Sequence, residues 1–172
     1  MPGLVRSLAD IALLRRDPSG LPSSWASVGV FVLAYVVADI VVARTGSFQP
    51  VLARTAADLA LTLPFFWLLL AITRRTHRFP QTINAALGVY VLLTPIIVVL
   101  LLLHLRSPAQ ASGVLPILVN ASITLLMIWY LLIVGHILRS ALDTGLVTGF
   151  AISVTWFLAT YAITRALFGA PA

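Results

Sequence analysis

The chain has no lysine, no glutamate and no cysteine. Without cysteine there are no disulfides, no thiolate nucleophile and no thiolate metal site. Without glutamate, membrane proteases built on a Glu-Glu-x-x-x-Arg pattern and His-Glu-x-x-His metallopeptidases are excluded. Without lysine there is no Walker phosphate loop, and no Gly-x-Ser-x-Gly nucleophile elbow is present either. Charge of any sign is scarce: 9% of residues are charged, against roughly 25% in an ordinary soluble domain. All five acids are aspartate, and every Lys/Arg position is arginine. The arginine-only bias, with abundant Ala, Leu and Val, points to a GC-rich bacterial genome.

Apolar sequence is what the chain has instead. Hydrophobic residues make up 60% of its 172 residues. A soluble domain of this length could not bury that much apolar surface, because burial is limited by surface-to-volume scaling. A bilayer removes the limit. Five runs reach the roughly 20 residues a membrane span requires: Trp25 to Ala43, Thr55 to Thr73, Ile83 to Leu105, Val114 to Leu138 and Leu146 to Phe168. The expected fold is therefore all-α, a polytopic bundle of five spanning helices with short connections. Residues 25–172 form the transmembrane domain and residues 1–24 an N-terminal cytoplasmic, interfacial segment.

In that segment Leu4, Leu8, Ile11 and Ala12 share a helical face, which predicts a short amphipathic helix at the interface. Asp17-Pro18-Ser19-Gly20 ends it, and Ser23 or Ser24 can cap the first span. Arginines set the orientation. With the N-terminus inside, the inner segments hold Arg6, Arg15, Arg16, Arg74, Arg75, Arg78 and Arg139, and the outer ones Arg44, Arg54, Arg106 and Arg165. Seven against four favours a cytoplasmic N-terminus and a periplasmic C-terminus. The basic residues lie between apolar runs rather than on one face, so nucleic acid is not an expected partner.

Ionisable groups at membrane depth are the functional candidates. Asp39, Asp58, Asn120 and Arg165, with His104, all fall in the outer half of this topology and could converge on one polar patch. An ion or proton site using Asp39 with Arg165 or Arg54 is the sharp reading. Pairing within the bundle is the plainer and commoner one, as for Arg54 and Asp58 at i,i+4. Pro64 and Pro95 should kink their helices, with Thr62 and Thr94 helping to satisfy the freed carbonyls. Gly145 and Gly149 have small-xxx-small spacing and are candidates for close helix packing. His77, His104 and His136 sit in different segments, so no metal or haem pair is expected, and no cofactor is expected.

Phe79, Gln81, Leu87, Gly88, Tyr90 and Pro95 follow the order seen where an inner loop of Yip1-domain proteins leads into a span. The stretch from Ile128 to Gly149 is similar to that family's fourth span and following loop. The chain thus resembles a bacterial Yip1-like membrane protein over most of residues 25–168. The Asp-Leu-Tyr-Gly-Pro motif of the trafficking members is missing, so their vesicle role is not implied. The resemblance implies five spans, a cytosolic N-terminus and a non-enzymatic role. A scaffold or membrane-organising protein is the leading expectation, with the bilayer and a membrane-protein partner or second copy as partners. A small transporter or ion-conducting subunit using Asp39 is the alternative, in either case in the bacterial inner membrane.

Overall fold

The computed structural model describes residues 2–46, 50–106 and 114–169. The expected connection from Arg106 to Gly113 thus falls largely outside the described residues, as do part of the turn before Arg54 and residues 170–172. The described residues form six α-helices and no strand. They are α1 (Pro2–Ala12), α2 (Trp25–Thr45), α3 (Val51–Ile72), α4 (Phe79–Arg106), α5 (Val114–Leu142) and α6 (Leu146–Phe168). The last five are long and apolar enough to cross a membrane, as a multi-pass membrane protein requires. No more than 33% of the residues in any of their most apolar windows are buried in the protein. Val30, Leu33, Leu52, Ile72 and Val147 all point outward, a surface that suits hydrocarbon and not water.

Valine-rich α2 would be a poor helix in water, because β-branched side chains lose rotamer freedom there. In hydrocarbon each unmet backbone group costs several kcal/mol, so a self-satisfied helix wins. The helices also run past the hydropathic boundaries. α3 and α4 each begin about a turn early and α5 ends a turn late. Hydropathy marks the hydrocarbon, whereas helical hydrogen bonding continues until a cap or breaker stops it. Ser24 caps α2 by accepting from the Ser27 N–H at 3.1 Å. α3 and α5 close in Schellman fashion. The residues Arg74 and Asp143 take positive φ (58° and 50°), with Arg75 N donating to Leu70 O and Thr144 N to Arg139 O.

The five long helices close a ring in the order α2, α4, α5, α6, α3 and back to α2, with α3 also touching α4. Half of the ring's interior is filled by Leu70, Ile83, Ile133, Val134, Ile137 and Leu138, all without solvent exposure. α1 lies at this end. The helix is amphipathic as expected, and its apolar face packs on the bundle: Leu8, Ile11 and Ala12 join the common core against α4 and α5. The Leu8 side chain reaches Gly88, where an added Cβ would lie 2.7 Å from both Leu8 Cδ2 and Phe31 Cε1. Residues on either side of the expected boundary at 24/25 therefore share one core.

Polar bonds fasten the N-terminal segment. Asn84 Nδ2 donates to Pro22 O at 2.9 Å and Ser27 Oγ at 2.7 Å, and His136 Nε2 lies 3.3 Å from Arg16 O. Arg78 Nη1 donates to Ser140 O (3.0 Å), Ala141 O (3.2 Å) and Asp143 Oδ1 (3.0 Å), and Arg75 also pairs with Asp143. A cation at these terminal carbonyls complements the α5 dipole. The threonines do not serve the prolines as expected. Pro64 and Pro95 lie inside continuous helices, but Thr94 donates to Tyr90 O rather than to Val91 O, the carbonyl that Pro95 frees. Thr62 Oγ1 has no partner among the described residues.

Of the two packing glycines, only Gly149 packs. Its Cβ position collides with the carbonyl oxygen of Gly135, and a Cβ on Gly135 would lie 2.7 Å from Phe150 Cα. Gly145 is the N-cap of α6 and has nothing within 4 Å. The small-residue pair is thus Gly135 with Gly149, across α5 and α6, and not Gly145 with Gly149 along α6. Gly149→Val should lower stability by about 1–3 kcal/mol through overpacking, and Gly145→Ala should change it by less than about 0.5 kcal/mol. Thermal unfolding in detergent reads both.

Asp143 supplies a pH signature. The Arg78 hydrogen bond, with the charges of Arg78 and Arg75, holds its carboxyl below the ordinary 3.8. A lowered acid stabilises when ionised, so its contribution is complete above about pH 4 and is lost as pH falls through the folded value. The melting-temperature gap between the wild type and Asp143→Asn should stay constant from about pH 8 to pH 5 and narrow below pH 4.

Candidate functional site

At the other end of the ring the helices enclose a cavity of about 440 Å³. Its rim lies near the helix ends, at Ala43, Arg54, Arg165 and Gly169, and its floor near mid-bundle, at Phe66, Ala86 and Trp156. Gly169 and Trp156 are 13 residues apart, which sets a depth of about 20 Å at 1.5 Å per residue.

Helical spacing gathers the polar groups of the site. Tyr35 and Asp39 stand one turn apart on α2, and Thr55, Asp58 and Thr62 follow at i, i+3 and i+7 on α3. Asp39 accepts from Thr55 Oγ1 at 2.5 Å and from the Tyr90 hydroxyl at 2.9 Å. Asp58 accepts from the Tyr35 hydroxyl at 2.5 Å. Each of these bonds joins two different helices, so the carboxyls tie α2, α3 and α4 together. The rings of Tyr35, Tyr90 and Tyr130 follow one another at centroid distances of 4.8 and 6.2 Å. Trp156 meets Phe66 edge to face at 5.7 Å and forms the floor.

The basic groups sit at the rim. Arg54 Nη2 donates to the Phe168 and Gly169 carbonyls at 3.1 Å each, and its guanidinium lies 5.4 Å from the Phe168 ring centre. The bonds seen for Arg54 and Asp58 thus run across the bundle, to α6 and to α2 respectively. Arg165 Nη1 approaches the Tyr161 hydroxyl at 3.5 Å. Two donors at the floor are unmet: Thr62 Oγ1 and Trp156 Nε1 are buried with no hydrogen-bond partner among the described residues. An unpaired buried donor costs roughly 1–3 kcal/mol.

Three of the four cluster residues read from the sequence, Asp39, Asp58 and Arg165, line this one cavity. Asn120 does not: it is exposed on the outside of α5. His104 also lies outside the lining. The shared depth of these residues was readable from the sequence, but which side of each helix faces inward was not. Tyr35, Thr55, Tyr90 and Trp156 are the site residues that sequence reasoning missed. Their signal was the i,i+4 spacing of Tyr35 and Asp39 and the i,i+3 spacing of Thr55 and Asp58 within apolar runs. Among the described residues no group of three or more His, Asp or related ligands could hold a metal ion.

The cysteine-free chain makes accessibility simple to test. Thr160→Cys or Thr164→Cys, in the cavity wall, should react with a small charged thiol reagent at least ten times faster than Val134→Cys in the filled half. Mass spectrometry of labelled protein measures the rates, and equal rates would contradict the cavity.

No protein-family model matches the chain, and no curated protein and no solved structure matches it either.

Proposed function

We propose that the protein binds a small solute in this cavity and moves it across the membrane, as a small transporter or conducting subunit centred on Asp39 and Asp58. The observation that carries the reading is that both carboxyls at spanning depth line one cavity, whose rim lies at the helix ends. Ligand pockets commonly measure about 300–1,000 Å³ and combine apolar walls with a few convergent polar groups. The filled half of the ring and α1 would then form the barrier, and transport would need that half to open. In this proposal the cavity faces the periplasm of a bacterial inner membrane and the N-terminus lies in the cytoplasm. The arginine asymmetry supports that orientation, and the Yip1-like topology suggested by Phe79 to Leu103 agrees with it. No catalytic role is assigned to any residue.

The second reading is a scaffold or interaction protein, also without enzymatic activity. It is favoured by Asn120, Ser122 and Thr124, which are exposed on α5 within a span. Polar groups on a lipid-facing helix suit a partner helix or a second copy. The glycine contact lends this reading no weight, since Gly149 is engaged inside the bundle with Gly135.

Reconstituted liposomes separate the two. Under the transport reading, Asp39→Asn and Asp58→Asn should each cut solute flux at least tenfold, while Asn120→Ala leaves it unchanged. Under the scaffold reading no flux exists, and Asn120→Ala releases a partner that otherwise co-purifies in mild detergent.

A further inference from the structure

We infer that the cavity takes a zwitterion with a large apolar group, its ammonium at Asp58, its anionic group at Arg165 and its apolar group beside Tyr130 and Phe157. The inference rests on the reading that the cavity holds a solute, and it deepens that reading by naming the ligand's chemistry.

Helix rise fixes the level of each charged group. The Phe66 and Trp156 rings meet at the floor. Asp58 precedes Phe66 on α3 by eight residues, and Arg165 follows Trp156 on α6 by nine. At 1.5 Å per residue those separations are about 12 and 14 Å. Asp58 and Arg165 are therefore level, on two helices that touch, and both line the cavity. Asp39 and Arg54 lie at or just above that level, because Asp39 is bonded to Thr55, the neighbour of Arg54. The charged lining is thus two acids and two arginines near one level. A solute with one charge, of either sign, meets as many like charges there as opposite ones. A zwitterion can set each of its charges against an opposite one.

Existing bonds choose among the four. Asp39 has both oxygens engaged, by Thr55 and Tyr90. Arg54 is turned to the Phe168 and Gly169 carbonyls. Asp58 takes the Tyr35 hydroxyl on Oδ2, whereas its Oδ1 accepts no bond among the described residues and keeps accessible surface. Arg165 is exposed and pairs with no acid among the described residues, and its Nη1 is 3.5 Å from the Tyr161 hydroxyl. A guanidinium in that state suits a carboxylate or phosphate, which it can grip with two N–H groups. Below the charged level the wall is aromatic. Ser153 Oγ donates to Leu131 O, which brings Tyr130 to the level of Trp156, and Phe157 adjoins it. Tyr130 and Phe157 are half-buried residues of the lining. A zwitterion without an apolar group would leave most of the roughly 440 Å³ unfilled.

A matched series tests this by calorimetry on the full chain in phosphatidylglycerol nanodiscs, with protein-free nanodiscs as the blank. The probes are 2-amino-4-phenylbutanoate, 3-phenylpropylamine (carboxylate removed), 4-phenylbutanoate (amine removed) and alanine (apolar group removed). The first should bind tightest, and the two singly charged analogues at least tenfold more weakly. Alanine should show no saturable binding. Asp58→Asn should lower the affinity for 2-amino-4-phenylbutanoate to that for 4-phenylbutanoate, and Arg165→Gln to that for 3-phenylpropylamine. The probe ranking on the wild type does not depend on any variant folding. Phosphatidylethanolamine carries the same chemistry, so the series is repeated with that lipid added. Loss of binding on the repeat would identify the lipid as the occupant, and unchanged binding a free solute, and either supports the inference. A singly charged analogue or alanine binding as tightly as the zwitterion, no binding of any probe, or zwitterion affinity unchanged by both variants would each overturn it. Zwitterion binding without zwitterion flux would leave it standing and defeat only the transport reading.

Discussion

Hydrocarbon offers no hydrogen-bond partner, and most features of this protein follow from that one deficiency. Backbone groups must satisfy each other, which makes even the valine-rich α2 helical. Helix ends that lack water need a donor from elsewhere in the chain. Arg78 serves the terminal carbonyls of α5 and Arg54 those of α6. Both arginines lie N-terminal to the helix they cap and on another element, so each cap is also a tertiary clamp, one at either end of the bundle.

The same rule gathers the interior polar groups. Asp39 and Asp58 could not face lipid without a large cost, so both turn into the ring, where hydroxyls of neighbouring helices meet them. The ring needs one close helix contact to form, and Gly135 against Gly149 supplies it by letting α5 and α6 approach at backbone distance. The result is an asymmetric interior. One half is packed with aliphatic side chains and covered by α1. The other keeps a cavity whose wall carries acids and phenols and whose floor carries two unmet donors.

Much of the architecture was legible in the sequence because its signals are strong and local. Five long apolar runs mark five helices, and Ser24 and the Asp17-Pro18-Ser19-Gly20 break mark boundaries. The shared depth of Asp39, Asp58 and Arg165 was also legible. What failed was anything that depends on rotation about a helix axis. Asn120 has the right depth and the wrong face. Gly145 has the right spacing from Gly149, but the residue that meets Gly149 is Gly135 on another helix. α1 shows its apolar face in the sequence, but nothing local shows that Leu8 will reach Gly88. In a soluble helix the apolar stripe reveals the inward face. Here both faces are apolar, so that cue vanishes, and only the rare polar residues at i,i+3 and i,i+4 retain it.

The most direct measurement is a density map of the protein in lipid nanodiscs, at a resolution that shows side chains and bound small molecules. The account predicts helices in the order α2, α4, α5, α6, α3 and non-protein density between Asp39, Asp58 and Trp156. A bundle collapsed at that level, with Asp39 and Asp58 paired directly to arginine and Trp156 turned to lipid, would contradict it.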